Sequence, residues 1–61
     1  MAWIARTLNE DELIFDKHPY KRDGYWYHPN GLGGNTIKLP DGTIKKIIGR
    51  ELTWKDEPIE I

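Results

Sequence analysis

No cysteine occurs anywhere in this 61-residue chain, and for so short a domain that absence is the tightest constraint on its fold. A chain of this size buries only about 60% of the surface its unfolded form exposes. Its net stability is then roughly 3–5 kcal/mol unless something braces it. Disulfides cannot be the brace, and zinc–thiolate sites, iron–sulfur clusters and thiol nucleophiles are excluded with them. The large apolar side chains are therefore needed inside, and oligomerisation is the remaining common remedy for a thin core.

Hydrophobic patterning points to short strands. Trp3 to Leu8 and Leu13-Ile14-Phe15 flank the polar Asn9-Glu10-Asp11-Glu12 and read as a hairpin around an acidic loop. Alternation puts Leu13 and Phe15 on the core face and Ile14 opposite. His18-Pro19 ends the second strand, since proline lacks a ladder donor and extends its predecessor. A polar connection through Asp23-Gly24 leads to Tyr25-Trp26-Tyr27, a β-prone triplet closed by Pro29-Asn30-Gly31. Thr36 to Leu39 is a further strand.

Ile44, Ile47 and Ile48 fit one face of a helix better than strand alternation, because Lys46 stands where an apolar residue would be needed. One or two helical turns are expected over 43–49, with Thr43 as N-cap and Gly49 just past the end. Leu52 and Trp54 alternate with polar residues as a strand, and Pro58 confines Ile59 to Ile61 to a sheet edge. The expected fold is mostly β, a small antiparallel sheet or partly open barrel of four to five short strands with one short helix, in a single domain spanning 1–61. Its expected core is Trp3, Leu13, Phe15, Trp26, Leu39, Ile44, Ile47, Leu52 and Trp54.

The net charge of −1 is unevenly distributed. Glu10, Asp11, Glu12 and Asp16 make residues 9–16 acidic, whereas 17–50 carry seven bases against Asp23 and Asp41. A solvated surface of mixed charge is the plain explanation, and a basic face for a polyanion the sharper one. No apolar run approaches the 18 or so residues of a membrane span, and no basic segment precedes a long apolar stretch as in a secretory signal. A cytoplasmic location is expected.

The order WIAR, acidic turn, LIF, Lys-His-Pro, central tryptophan, IKLP and the ending LTWKDEPIEI resembles a set of small uncharacterised proteins of gut-bacterial genomes and their phage-like or mobile elements. The resemblance spans most of the chain and is most distinctive over Leu52 to Ile61. It implies a phage or mobile-element context and assigns no role to any residue.

The residues for catalysis are sparse. Serine is absent along with cysteine, which removes the two usual acyl-transfer nucleophiles. Glu10, Asp11 and Glu12 crowd one turn, where solvation is their expected fate, rather than facing each other across a cleft. His18 and His28, with Asp16 and Asp23, lack the spacing of a known metal site. Gly31-Leu32-Gly33-Gly34 fits neither phosphate-loop nor dinucleotide-loop spacing and reads as a flexible connector. No cofactor, metal or enzymatic activity is expected.

One surface remains. On a strand, Tyr25 and Tyr27 point one way and Trp26 the other, and Trp26 is the better core residue. Tyr25 and Tyr27 would then face outward near Lys21, Arg22, His28 and Lys38. Such a face suits a protein contact, where Tyr and Arg are enriched. Alternatively, it could stack bases and hold phosphates of a single-stranded nucleic acid. Cross-strand aromatic packing alone is the plainest explanation. Ile59 and Ile61, on one side of an edge strand, additionally suggest a homodimer through the C-terminal strand.

Overall fold

The computed structural model describes residues 2–31 and 34–61. Leu32 and Gly33 lie outside them, so the connector expected over 31–34 is described only at its ends. The elements in chain order are β1 (Trp3–Arg6), β2 (Glu12–Phe15), β3 (Tyr20–Arg22), β4 (Tyr25–Tyr27), β5 (Thr36–Leu39), α1 (Thr43–Ile48) and β6 (Ile59–Glu60). Four strands form an antiparallel sheet in the order β5-β2-β1-β6, and β3 and β4 form a separate hairpin. The chain is thus mostly β with one short helix, as expected, and neither sheet closes into a barrel.

Side-chain alternation gives the four-stranded sheet two apolar faces, and each is covered by a different element. Trp3, Ala5, Leu13 and Phe15 point to one side and pack with Trp26 of the hairpin. Ile4, Ile14, Leu39 and Ile59 point to the other and pack with Ile44 and Ile48 of α1 and with Leu52. The sheet is therefore the middle of three layers. Ile4 and Ala5, neighbours in sequence, are both fully buried because each lies under a different cover.

The expected core was drawn with one buried face, and this is where it departs from the structure. Ile4 and Ala5 join the core. Ile47 does not, being 45% exposed, because a six-residue helix turns only the stripe through Ile44 and Ile48 toward the sheet. The segment through Leu52 and Trp54 is no strand either. Asp56 accepts hydrogen bonds from the Thr53 amide at 2.8 Å and the Thr53 hydroxyl at 3.3 Å. That local closure, typical of Thr and Asp, competes with ladder formation and leaves Trp54 half-buried in a turn.

The extra strand is β3, in a segment expected as connection. Asp23 and Gly24 both have positive φ, 54° and 82°, as a two-residue type I′ turn requires. This turn pairs Arg22 with Tyr25, Lys21 with Trp26 and Tyr20 with Tyr27.

Glu12 joins sheet to helix. It is a buried strand residue, not part of a solvated turn, and its carboxylate accepts the amides of Gly42 and Ile44, each at 2.7 Å. A helix start leaves its first amides without intrahelical partners. Here a side chain 30 residues upstream supplies them, and Gly42, in left-handed geometry, occupies the cap position expected of Thr43. Thr43 sits one step in, its hydroxyl donating to the Pro40 carbonyl at 2.6 Å. At the other end Gly49 closes the helix as expected, its amide reaching the Lys45 carbonyl. Among the described residues no helix is long and apolar enough to cross a membrane.

Candidate functional site

The hairpin β3–β4 presents the expected aromatic face. Trp26 is turned inward and its indole Nε1–H donates to the Arg6 carbonyl at 2.9 Å, tying the hairpin to β1. The opposite side of the hairpin then carries Tyr20, Arg22, Tyr25 and Tyr27. Tyr20 and Tyr27 are directly cross-strand, with ring centroids 5.8 Å apart at 33°. They are 49% and 44% exposed. Tyr20 was not among the expected site residues because its segment did not read as a strand. Once the Asp-Gly turn fixes the register, its pairing with Tyr27 follows.

Three further contacts hold this face rigid against the rest of the chain. The Leu8 amide donates to the Gly24 carbonyl at 2.8 Å. The Tyr25 hydroxyl donates to Asn9 Oδ1 at 3.1 Å. Lys21 extends to the inner side, donating to the Trp54 carbonyl at 3.0 Å with its ammonium 4.8 Å from the Trp54 ring centroid and 5.7 Å from that of Trp26. Gly24 lies so close under Leu8 that an added Cβ would come within 3.0 Å of the leucine side chain. Beside the hairpin a groove of about 540 Å³ runs between the β1–β2 turn and residues 52–55, with Arg6, Leu8, Trp54 and Lys55 among its lining.

The expected surface residues therefore separate. Tyr25, Tyr27 and Arg22 share the outer face, and Arg22 is exposed without an ion pair among the described residues. Lys21 is committed to Trp54 on the inner side. Lys38 stands on β5 opposite Leu13, its ammonium 3.3 Å from Asp11. His28 is not on the surface at all. It is 3% exposed, with both ring nitrogens engaged: the Asn30 amide donates to Nδ1 at 2.9 Å, and Nε2 meets Asp16 Oδ1 in a short contact. An Nδ1 that accepts fixes the proton on Nε2, which donates to the carboxylate. Asn35 donates to the other Asp16 oxygen at 3.0 Å. The hydrogen bonds from His28 and then from Asn35 hold the Asp16 carboxyl below its ordinary value of 3.8.

Gly34 closes over the imidazole, and a Cβ there would collide with the ring. His28 thus fastens the ends of the 28–35 loop to the end of β2. With neither nitrogen available to a substrate or an ion, the contact between buried His28 and the exposed Asp16 is a structural lock. His18 has its own local partners, Nδ1–H donating to the Pro19 carbonyl at 2.7 Å and its ring set edge-on to Trp3 with centroids 4.5 Å apart. No three His, Cys, Asp or Glu side chains converge on a metal-sized site among the described residues.

No family model, curated protein or solved structure matches this chain, so the site's chemistry rests on its own geometry.

Proposed function

We propose that the chain is a non-catalytic protein-interaction module, of the phage or mobile-element kind its sequence resembles, with the outer face of β3–β4 as its contact surface. The observation that carries this reading is the exposed Tyr20–Tyr27 pair on a pinned hairpin with Arg22 unpaired beside it. Tyrosines offer broad contact area with only two side-chain torsions to immobilise, and Tyr and Arg dominate binding hot spots. The rigid backing lowers the ordering cost that association must overcome. A non-catalytic role is supported by the missing serine and cysteine nucleophiles and by the full engagement of His28.

Nucleic acid is the competing ligand, since a base can stack on an exposed tyrosine. The cation arrangement weighs against it, because Lys21 is turned to Trp54 and Lys38 to Asp11, leaving Arg22 alone on that face. Quantitative capture from the native host, comparing wild type with Tyr20→Ala/Tyr27→Ala, tests the reading. A specific protein retained by wild type and reduced at least tenfold by the folded variant is expected. Equal retention by both refutes it, and salt-sensitive binding of a mixed oligonucleotide that depends on the same tyrosines would replace it with the second reading.

A further inference from the structure

The two edges of the four-stranded sheet are not equivalent. β6 is two residues long, follows Pro58, and turns Ile59 into the core of its own chain, so the edge expected to mediate a homodimer has little to offer. β5 is four residues long and its outer side has no strand partner. Its Ile37 is 63% exposed, the most exposed large apolar residue described. Strand edges with unpaired amides and exposed apolar side chains are templates for further pairing unless a device prevents it. The charge on this edge is a single lysine, Lys38, whose exposed ammonium lies 3.3 Å from Asp11 of the same chain.

Cross-strand registers show what Ile37 belongs to. Ile37 faces Ile14, Ile14 faces Ile4, and Ile4 faces Ile59. One row of isoleucines therefore crosses the entire sheet on the α1 side. It is buried at Ile4 and ends at open surface at Ile37, where Ile14, Ile37 and Ala2 line an apolar hollow of about 190 Å³.

We infer that β5 pairs antiparallel with β5 of a second copy in the register that sets Ile37 against the partner's Ile37. Two-fold symmetry perpendicular to the sheet keeps each face on its own side and requires directly opposed residues to share a face. Residues 37 and 38 therefore cannot face each other, and the symmetric registers that pair three of the four strand residues centre on one or the other. Centring on Lys38 opposes two like charges, which is destabilising. Centring on Ile37 joins the two isoleucine rows and places Lys38 against the partner's Thr36, with no like-charge contact. The product is a continuous eight-stranded sheet whose apolar row runs from Ile59 through both copies of Ile37 to the partner's Ile59. This association is independent of the hairpin face, which lies on the other side of the sheet.

The absence of cysteine makes the register directly readable. Opposed residues of an antiparallel pair have Cα atoms about 4.5–5.5 Å apart, within the disulfide range, whereas two copies of residue 38 would be offset by two residues and lie beyond the roughly 7 Å limit. Under mild oxidation Ile37→Cys is expected to form a covalent dimer rapidly, and Lys38→Cys and Glu60→Cys at least tenfold more slowly. Wild type should sediment as a concentration-dependent dimer and Ile37→Lys, folded by circular dichroism, as a monomer. A wild type monomeric at concentrations on the order of 1 mM, above the weakest specific affinities, would overturn the inference. Fastest cross-linking at Lys38→Cys would overturn the register, and at Glu60→Cys would transfer the contact to β6.

Discussion

Removing the carboxylate charge of Glu12 should cost the fold most of its stability, although the change to glutamine keeps the side chain's shape. Both oxygens are occupied, one by the Gly42 amide and one by the Ile44 amide, each at 2.7 Å. Glutamine offers one acceptor, and its NH₂ group would confront the second amide donor to donor. A charge-assisted hydrogen bond contributes about 1.5–3 kcal/mol, and an orphaned buried donor costs about 1–3 kcal/mol. The expected loss for Glu12→Gln is therefore about 2–4 kcal/mol, set against roughly 3–5 kcal/mol for a domain of this size. α1 cannot compensate, because a six-residue helix is far below the roughly 12–15 residues that hold a helix without tertiary support. Urea unfolding followed by tryptophan fluorescence and far-ultraviolet circular dichroism measures the effect. With a slope of about 1 kcal/mol per molar urea for a small domain, the midpoint should fall by roughly 2–4 M, leaving a substantial unfolded fraction in water. Glu51→Gln, at an exposed glutamate, is the control. A Glu12→Gln variant within about 0.5 kcal/mol of that control, the scale of ordinary surface substitutions, would refute the capping role.

Three further outcomes follow from the described contacts. Because the folded Asp16 carboxyl lies below its ordinary value of 3.8, its ionised form stabilises the protein above that value, and the contribution is lost as pH falls through the folded value. Urea midpoints across the acid range should therefore show wild type more stable than Asp16→Asn near neutrality and the difference closing in acid; a constant difference would contradict this. Gly34→Ala inserts a methyl group into the His28 ring and should cost about 1–3 kcal/mol, as overpacking does, read as a lower thermal midpoint; an unchanged midpoint would mean the loop does not close on the imidazole. Glu10 holds φ of 68°, a left-handed geometry that costs a non-glycine residue roughly 1–2 kcal/mol but is more tolerable to asparagine, so Glu10→Asn should be neutral to stabilising by up to about 1 kcal/mol. A clear loss would assign real weight to the Arg6–Glu10 contact, which at 3.8 Å with Glu10 82% exposed is not expected to matter.

Local pattern in the sequence reached far into this fold. Apolar runs around an acidic turn gave the β1–β2 hairpin, and the spacing of Ile44 and Ile48 with Gly49 gave α1. Pro58 gave an edge strand, and alternation through Tyr25-Trp26-Tyr27 correctly turned the tryptophan inward. What stayed illegible depended on partners distant in sequence. Glu12 looks like any acid in an acidic turn until the helix start 30 residues later is brought beside it. His28 looks like a strand-end residue until Asp16 and Gly34 close around it. Ile4 was missing from the expected core and Ile14 set opposite it, because the second face shows its cover only once the helix packs there. β3 was a different kind of miss. Tyr20-Lys21-Arg22 is too polar to announce a strand, yet Asp23-Gly24 is the strongest short-range hairpin signal a sequence offers, and reading it would have placed Tyr20 beside Tyr27.

The contact role of the outer hairpin face is tested most directly by position-specific photo-crosslinking in the native host. A photoreactive residue replacing Tyr27 lies on the proposed contact face. One replacing Lys46, exposed on α1, lies in the layer on the other side of the central sheet. A discrete covalent adduct with one host protein from position 27, with none from position 46, is the predicted result. Identical adducts from both positions, or an adduct from position 46 alone, would contradict it.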